Sequence, residues 1–368
     1  MKAIINQIID IKLSSNYQYI IGEQILENLY DHIGVRHDQK VLILSDEIVW
    51  KLYGMKIDNS FSSHKEKVER LILDFGEKEK NFCNLSKILT TLAKNSFRKT
   101  DVILAIGGGV ICDIGGLASG LYMRGIPHVL VPTTTLAAID ASVGGKTAIN
   151  LDEGKNLVGM FKQPSRVICD IGAFESLSDR IFYEGIVEAV KIAFINTPAM
   201  LNLFEGDLRR QKDCLFEIII QSIKGKYYKI KNDEFDKDSR MQLNYGHTLG
   251  HALEKLTSYE LRHGEAVAIG MVHMTKLAED KGILPKKIIN KEIVRNFGDL
   301  SPSELMIKIF KNYRIPYEYK FSYEEIEDFL LLDKKNRSDS IKLILLENMG
   351  HAFIHKVTLE ELREFLFS

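Results

Sequence analysis

The first half of the chain alternates short apolar, β-branched runs with stretches of helical period. The apolar runs are YQYIIG (17–22), VLILSDE (41–47), ERLILDFG (69–76), DVILAIGGG (101–109), HVLVPTTT (128–135) and RVICD (166–170). Helices are predicted for EQILENLYDHI (23–33) and from about residue 79 to 94. Apolar strands separated by helices indicate a parallel sheet that carries helices on its faces.

A helical period of about 3.6 residues dominates from Asp179 onward. It runs through FYEGIVEAVKIAFI (182–195), LFEIIIQSIKGKYYKIK (215–231), HTLGHALEKL (247–256) and GEAVAIGMVHMTKLAEDKG (264–282). A late hairpin, IKLILLE then HAFIHKV, precedes a final helix that opens with a Thr358–Glu361 capping-box pattern. We therefore predict an α/β, Rossmann-like N-terminal domain over 1–177 and a mostly α-helical C-terminal domain over 178–368.

Composition narrows the class of protein. A chain of 368 residues is long enough for two domains, and its formal net charge of −1 offers no global field for nucleic acid. No apolar run approaches the roughly 18 residues that span a membrane, and the start does not resemble a signal peptide. The four cysteines are scattered without a CxxC pair. We expect a cytoplasmic protein that binds neither nucleic acid nor membrane.

A glycine loop follows the fourth apolar run. Strand DVILAI leads into Gly107-Gly108-Gly109, then Val110 and the helix-like stretch ICDIGGLASGLYM. A strand, a glycine turn and a helix N-terminus form an anion site, because bare backbone lets N–H groups approach a pyrophosphate. The alternative is a tight turn without a ligand, and the spacing is not GxGxxG. Asp46, at the end of an earlier strand, could accept from ribose hydroxyls or cap a helix.

Histidines recur at helical spacing in NYGHTLGHALE (244–254), where His247 and His251 lie four apart on one predicted face. His263 in LRHGEAVAIGM and Glu188 in EGIVEAVK complete a group of potential metal ligands. Two imidazoles and one carboxylate are a common catalytic zinc set that leaves a coordination position open. A histidine on a helix can equally be packed or exposed without a metal, so the sequence alone leaves both alternatives.

Glycines stand beside three of these histidine positions. Gly246, Gly250 and Gly264 each cost a helix about 1 kcal/mol relative to alanine. That cost indicates close approach, either by a ligand or by another helix.

Cations recur near the glycine-rich segments. Lys146 and Lys155 are predicted to lie in glycine-rich loops of DASVGGKTAINLDEGKNLVG (140–159). Further cations are Arg124, Lys191, Lys226 and Arg240. Each alone could be a solvated surface charge, whereas together they suit a polyanionic substrate with a carboxylate and a phosphate.

Together these motifs resemble the 3-dehydroquinate synthase family of the sugar-phosphate cyclase superfamily. The matching strings are GGGVICDIGG, YMRG, VPTTTLAAIDASVGGKTAIN, GKNLVG, EGIVEAVK, NYGHTLGHALE, RHGEAVAIGM and DKKN, in order from about 107 to 336. The first hundred residues match in pattern more than in letters. The resemblance implies the two-domain fold of that family.

The resemblance also implies a site. Zn²⁺, with Co²⁺ as an alternative ion, would be held by Glu188, His247 and His263, and His251 would help to hold the phosphate. NAD would lie on Gly108, Gly109 and Val110, near Asp113, Thr133, Thr134, Asp140, Lys146 and Lys155, with Asp46, Glu77 and Lys80 toward the ribose. Substrate would meet Arg124, Asp140, Lys146, Lys155, Asn156, Lys191, Lys226, Arg240, Asn244, Lys334 and Lys335. In the family the arginine matching Arg124 reaches the neighbouring subunit's site, which implies a homodimer.

The activity implied is that of a lyase in the shikimate pathway of chorismate and aromatic amino acid biosynthesis. Its substrate would be 3-deoxy-D-arabino-heptulosonate 7-phosphate and its products 3-dehydroquinate and phosphate. The reaction combines transient oxidation at C5 by NAD, phosphate elimination, re-reduction and an intramolecular aldol step.

Several positions depart from the family pattern: Ala141, Asp236, Tyr245 and the stretch CDIGGLASGLY (112–122). They leave open a paralogous cyclase of secondary metabolism that makes an inosose, a valiolone or aminodehydroquinate. Lys146 and Arg240 argue against the first two. A metal-dependent polyol dehydrogenase and a non-catalytic NAD-binding regulator are the remaining alternatives; the first would release NADH, and the second needs no metal set.

Overall fold

A computed structural model of the protein describes residues 3–332 and 340–367. The chain divides into two compact units, Met1–Ser178 and Asp179–Ser368. Lys334 and Lys335, which the resemblance assigns to the substrate pocket, lie outside the described residues. Over the described ranges, no helix is both long and apolar enough to cross a membrane.

The first unit is built on a seven-stranded sheet. Its strands and those of a separate hairpin are β1 Ile4–Ile11, β2 Tyr17–Glu23, β3 Val41–Asp46, β4 Val68–Leu73, β5 Val102–Gly107, β6 His128–Pro132, β7 Lys146–Leu151, β8 Gly154–Phe161 and β9 Arg166–Asp170. The helices are α1 Leu29–His32, α2 Glu47–Ser60, α3 Phe82–Lys94 and α4 Gly109–Leu121. The sheet order is β1-β2-β9-β6-β5-β3-β4, and only the β1–β2 pair is antiparallel.

The predicted α/β class is confirmed by this sheet. Strands β3, β5 and β6 are buried along their whole length. Parallel strands covered on both faces carry continuous apolar residues, which is why these three could be identified in the sequence. The fourth apolar run ends where α4 begins, so the glycine loop joins a buried strand directly to a helix.

Two expectations for the first unit were wrong. The stretch 23–33 is not one helix: it forms a 3₁₀ turn, Ile25–Asn28, and a single α turn, Leu29–His32. The carboxylate of Asp170 accepts hydrogen bonds from the backbone N–H groups of Gln24 and Leu26, at 3.1 and 3.0 Å, and holds the chain in a turn there. Gln24 itself has a left-handed φ of 59°.

The second wrong expectation concerns the glycine-rich segment. Lys146 and Lys155 do not lie in loops but in the strands of the antiparallel β7–β8 hairpin. Gly144 and Gly145, whose φ values of 99° and 66° suit glycine, belong to the turn that precedes β7. The density of glycine in the sequence concealed the strand that follows.

The second unit is mostly helical, as predicted. Its helices are α5 Asp179–Ile195, α6 Lys212–Asn232, α7 His247–Leu256, α8 His263–Asp280, α9 Lys291–Phe297, α10 Pro302–Asn312, α11 Tyr323–Leu332 and α12 Leu359–Phe367, and its hairpin is β10 Ser340–Asn348 with β11 His351–Thr358. Helix α8 is buried along most of its length and packs against α5, α7 and α10. The capping box predicted before α12 is present, with Thr358 and Glu361 bonded reciprocally.

Glycines set the spacing between the helices of this unit. A Cβ on Gly250 of α7 would lie 3.1 Å from the backbone of Val267 of α8. A Cβ on Gly264 of α8 would lie 2.5 Å from the carbonyl oxygen of Glu184 of α5. The sequence left open whether these glycines permit close approach by a ligand or by another helix. Gly250 and Gly264 permit close approach by another helix.

Candidate functional site

The second unit gathers three potential metal ligands from three helices. Glu188 lies in the middle of α5, and His247 and His263 are the first residues of α7 and α8. One ligand atom from each lies within 4.8 Å of the other two. The Nε2 atoms of His247 and His263 are 3.6 and 3.7 Å from the same carboxylate oxygen, Oε1 of Glu188.

The environment of Glu188 fits a bound cation. The residue is 1% exposed, and neither carboxylate oxygen has a hydrogen-bond partner within the part of the chain that the structure describes. The ammonium of Lys191 contacts Oε2 as an ion pair. A buried Oε1 without a hydrogen bond is costly, and a divalent ion between it and two imidazoles would offset that cost.

The protonation of His247 also suits a ligand. Its Nδ1 donates a hydrogen bond to the carbonyl oxygen of Tyr245 at 3.1 Å, which leaves the lone pair on Nε2, facing Glu188. Burial, followed by the Lys191 ammonium and the rings of His263 and His251, holds the pKa of His247 well below its ordinary value. The ring is therefore neutral at physiological pH, as metal binding requires.

His251 lies close to the same group but has a different carboxylate neighbour. Its ring centroid is 5.5 Å from that of His247 and 5.9 Å from that of His263. It forms a second potential ligand group with Glu254 and His263. The two histidines at helical spacing therefore face one region, and the imidazole of His263 lies between the two carboxylates.

The other residues of this unit that were predicted to meet the substrate are mostly buried. Lys191, Lys226 and Arg240 are buried, whereas Asn244 is exposed at the end of the 3₁₀ helix Ser239–Asn244. The guanidinium of Arg240 donates to the carbonyl oxygen of Glu234. Lysine and arginine are seldom fully buried unless they are paired, and Lys191 is paired with Glu188.

The residues predicted to bind a pyrophosphate lie in the first unit, at the start of α4. Helix α4 begins at Gly109, and its N-cap residue, Gly108, has no side chain to satisfy the first N–H groups. Neither glycine has a positive φ, so backbone conformation alone does not require them. The buried hydroxyl of Thr133 has no hydrogen-bond partner among the described residues. A bare helix N-terminus beside an unsatisfied hydroxyl fits a bound anion better than a tight turn without a ligand.

A buried lysine organises the residues beside this loop. The Nζ of Lys80 donates to Oδ2 of Asp113 and to Oδ1 of Asn156, both at 2.5 Å, and lies 4.0 Å from Glu77. Burial acts to lower the pKa of Lys80, but Asp113 and Glu77 outweigh it and hold that pKa above its ordinary value. Asn156, which the resemblance assigns to substrate, thus contacts Lys80, which it assigns to NAD.

Asn150 completes this network and was not identified from the sequence. Its side-chain amide donates to Oε1 of Glu77 at 2.7 Å, and its Oδ1 accepts from the backbone N–H of Asn156 at 2.9 Å. It therefore ties the β7–β8 hairpin to the segment before α3. The alternation of residue types in KTAINL, with the two-residue period of a strand, is the signal that could have indicated the position of Asn150.

Asp46 takes the structural role that the sequence left open. It is the N-cap of α2, and its Oδ1 accepts from the backbone N–H of Val49 at 2.9 Å. Burial raises its pKa, against the effect of the Val49 and Ile48 N–H groups. A contact of Asp46 with ribose stays a prediction.

The loop that carries Arg124 is strained. Met123, Arg124 and Gly125 have φ values of 49°, 63° and 115° in succession, and the first two are not glycine. Non-glycine residues whose backbone is held in the left-handed region cost about 1 kcal/mol or more each, and such strain concentrates at functional positions. Arg124 is exposed.

The remaining predicted residues of the first unit lie on neighbouring elements. Lys146 is exposed at the start of β7, and Lys155 is half-buried in β8. Asp140 lies in the π turn Ala137–Ala141, and Thr134 Cγ2 approaches the position of a Cβ on Gly108 to 3.4 Å. Val110 is half-buried in the first turn of α4.

Two departures from the family pattern have structural explanations. Tyr245 is fully buried, and its hydroxyl bonds the hydroxyl of Thr275 at 2.5 Å, so it fastens the start of α7 to α8. The Cβ of Ala141 lies 3.6 Å from the position of a Cβ on Gly109, so the small side chain borders the glycine loop. Neither departure alters the Glu188, His247 and His263 group.

Comparison with protein-family models gives two adjoining matches. Residues 70–184 match the model described as 3-dehydroquinate synthase N-terminal, and residues 185–336 match 3-dehydroquinate synthase C-terminal.

Curated relatives and a solved structure extend this likeness to almost the whole chain. The 3-dehydroquinate synthase of Clostridium botulinum (strain Alaska E43 / Type E3) is 35% identical over 96% of this chain and 98% of its own length. That of Streptococcus pneumoniae (strain JJA) is 36% identical over 89% and 90%. A 2-deoxy-scyllo-inosose synthase, solved with carbaglucose-6-phosphate, NAD⁺ and Co²⁺, is 25% identical with a TM-score of 0.77 over 97% of this chain and 100% of that one.

Proposed function

The chain belongs to the 3-dehydroquinate synthase family, and on that premise we propose that it converts 3-deoxy-D-arabino-heptulosonate 7-phosphate to 3-dehydroquinate and phosphate. The observation that carries the proposal is the buried carboxylate of Glu188, whose Oε1 has no hydrogen-bond partner among the described residues and faces the Nε2 atoms of His247 and His263. A site of this composition binds zinc and keeps a position open for an oxygen of the substrate. NAD and a divalent ion are the cofactors of the proposal.

Each unit supplies residues for one cofactor. In the first unit, the N–H groups at Gly108 and Gly109 would bind the pyrophosphate, the hydroxyl of Thr133 would gain a partner, and Lys80 would stay charged beside it. In the second unit, Glu188, His247 and His263 would hold the divalent ion. When bound, NAD⁺ would accept and return the C5 hydride, and the ion would polarise the oxygen at C5.

Cationic side chains would bind and orient the rest of the substrate. We assign the carboxylate and phosphate of the substrate to Lys146, Lys155, Lys191, Lys226 and Arg240, and a phosphate contact to His251. Buried cations such as Lys191 and Lys226 lose much of their hydration, so their attraction to an anionic substrate is weakly screened. The phosphate's own oxygen would take the C6 proton as phosphate leaves, so these side chains need only hold charge and position.

The proposal includes a cytoplasmic homodimer. Strand β1 is an edge of the sheet, and it exposes Ile4 by 56% and Ile8 by 46%. Exposed apolar edge strands are a liability that pairing with another chain removes. The strained loop at Arg124, which the family uses toward the neighbouring subunit, supports the same assembly. Sedimentation velocity of the wild-type protein measures it, and a monomer at micromolar concentration would contradict it.

Phosphate release from the heptulosonate phosphate tests the activity. We expect release that requires NAD⁺, stops with a divalent-ion chelator and leaves no accumulating NADH. His263→Ala should abolish it, whereas the control His273→Ala, on the same helix but bonded to the backbone of Leu366, should retain it. No phosphate release would refute the proposal, and a steady rise in NADH absorbance would indicate a polyol dehydrogenase instead.

A further inference from the structure

We propose that Glu254 is a positioning residue that orients His263 for metal binding. Glu254 lies in α7 and is 3% exposed. Its Oε2 is 3.5 Å from Nδ1 of His263, on the opposite side of the ring from Glu188. The inference rests on the proposed function only in that His263 is taken as a metal ligand.

The two histidines of the metal group share one arrangement. In each ring Nε2 faces Oε1 of Glu188, at 3.6 Å for His247 and 3.7 Å for His263. In each ring Nδ1 faces an oxygen acceptor, which is the carbonyl of Tyr245 for His247 and the carboxylate of Glu254 for His263. This repetition indicates that Glu254 serves His263 as the Tyr245 carbonyl serves His247.

An acceptor at Nδ1 has two effects on an imidazole ligand. It keeps the proton on Nδ1, so the lone pair stays on the nitrogen that faces the ion, and it fixes the plane of the ring. A carboxylate also makes the ring more basic and hence a stronger ligand. The His263 side chain is half-buried, whereas that of Glu188 is fully buried. Neighbouring atoms therefore restrict the imidazole of His263 less, and Glu254 can contribute more to its orientation.

Packing determines where the Glu254 carboxylate lies. The preceding residue, Leu253, belongs to a buried cluster with Ala266 and Ile269 of α8, the helix that His263 begins. The backbone of Gly250, one turn earlier, approaches Val267 of the same helix. Glu254 is therefore held by a helix interface beside His263, not by a loop, and such support is what precise ligand placement needs.

A second metal ion is the competing explanation for the same geometry. His251, Glu254 and His263 also form a potential ligand group. Two ions would require both nitrogens of His263 to donate lone pairs, and the ring would have to lose its N–H proton. A single ion with Glu254 as hydrogen-bond acceptor needs no such deprotonation. One ion per chain is therefore part of the inference.

Metal affinity of a Glu254→Gln variant tests the role without use of the reaction. The probe is Zn²⁺ added to chelator-treated protein in competition with a chromogenic chelator, with Co²⁺ as a spectroscopic substitute. We expect the Zn²⁺ Kd to rise about 10- to 100-fold and the visible Co²⁺ bands to shift. The matched control is Glu279→Gln, a buried carboxylate of α8 that accepts from Ser303; its Kd should equal that of the wild type.

The outcomes separate this inference from the proposed function. If the wild-type chain binds no divalent ion, the proposed function fails as well. If it binds one ion and Glu254→Gln keeps the wild-type Kd and Co²⁺ spectrum, only the role of Glu254 is refuted. Two ions per wild-type chain would make Glu254 a ligand and overturn the inference. Should circular dichroism show Glu254→Gln unfolded, Glu254→Asp replaces it, and a wild-type Kd for that variant is again a refutation.

Discussion

Substitution of Gly264 by alanine would insert a methyl group between α5 and α8, two of the helices that carry the proposed metal ligands. Gly264 follows His263 in α8, and it packs on Glu184, one turn before Glu188 in α5. The new Cβ would lie 2.5 Å from the carbonyl oxygen of Glu184, whereas ordinary van der Waals contacts begin at 3.4 Å. The helices must therefore separate by about 0.9 Å, the difference between 3.4 and 2.5 Å.

This displacement exceeds what either packing or ligation tolerates. Overpacking of a well-packed contact costs about 1–3 kcal/mol, and the gain in helix propensity from glycine to alanine returns at most about 1 kcal/mol. We expect the free energy of unfolding to fall by about 2 kcal/mol. Metal ligands need placement within about 0.5 Å, so a 0.9 Å separation of Glu188 and His263 should weaken Zn²⁺ binding at least about tenfold.

Thermal unfolding and Zn²⁺ competition, both on chelator-treated protein, measure the two effects of Gly264→Ala separately. The control is Gly154→Ala in the first unit, where the new Cβ would meet only the side chain of Leu157 at 3.3 Å and the φ is not positive. That variant should keep wild-type Zn²⁺ affinity and nearly wild-type stability. If Gly264→Ala also keeps both, the helix contact does not determine the metal geometry and the reasoning is wrong.

Three further predictions concern the first unit. Lys80→Met should lower the free energy of unfolding by about 3 kcal/mol in urea denaturation, because it leaves the Asp113 carboxylate without its cation. The control Lys78→Met, at an exposed position, should change the free energy of unfolding little. Equal free energies of unfolding for the two variants would contradict the network. Thr133→Val should leave stability unchanged without NAD⁺, since the hydroxyl has no described partner, yet raise the NAD⁺ Kd in a fluorescence titration; an unchanged Kd removes Thr133 from the site. Burial, aided by Lys162, lowers the pKa of His128 from 6.5 to about 3, so below pH 6.5 the unfolded chain binds a proton that the folded chain does not. The free energy of unfolding should therefore fall by about 1.4 kcal/mol per pH unit as the pH drops below 6.5. Denaturation curves at pH 7 and 5.5 should show this decrease for the wild type and not for His128→Asn. The same decrease in both proteins would contradict the assignment to His128.

The elements that the sequence revealed are those whose burial is uniform. Strands β3, β5 and β6 are covered on both faces, and helices such as α8 are buried along most of their length. The hydrophobic pattern of these elements in the sequence is therefore clear. The turn at Gln24 was missed because a carboxylate distant in sequence, Asp170, holds it. The secondary-structure propensities of neighbouring residues cannot predict a contact between residues so far apart in sequence.

In the candidate site, too, the sequence predicts some features and the tertiary structure alone shows others. Periodicity alone places His247 and His251 on one face of a helix, and it cannot say which of them lies against Glu188. The family motifs name His247 and His263 as candidates, but they do not reveal that Glu254 and the Tyr245 carbonyl lie behind those rings. Nor do they reveal that Asn150 joins Glu77 to Asn156.

The sequence by itself determined the two-part architecture, the glycine loop at a helix start and the residue types of the metal group, because each depends on neighbours in the chain or on short motifs. Only the tertiary structure decided that the imidazoles meet one carboxylate. That meeting depends on glycines at which α7 and α8, and α8 and α5, approach closely, and such spacing is a property of packed backbones that no local pattern records.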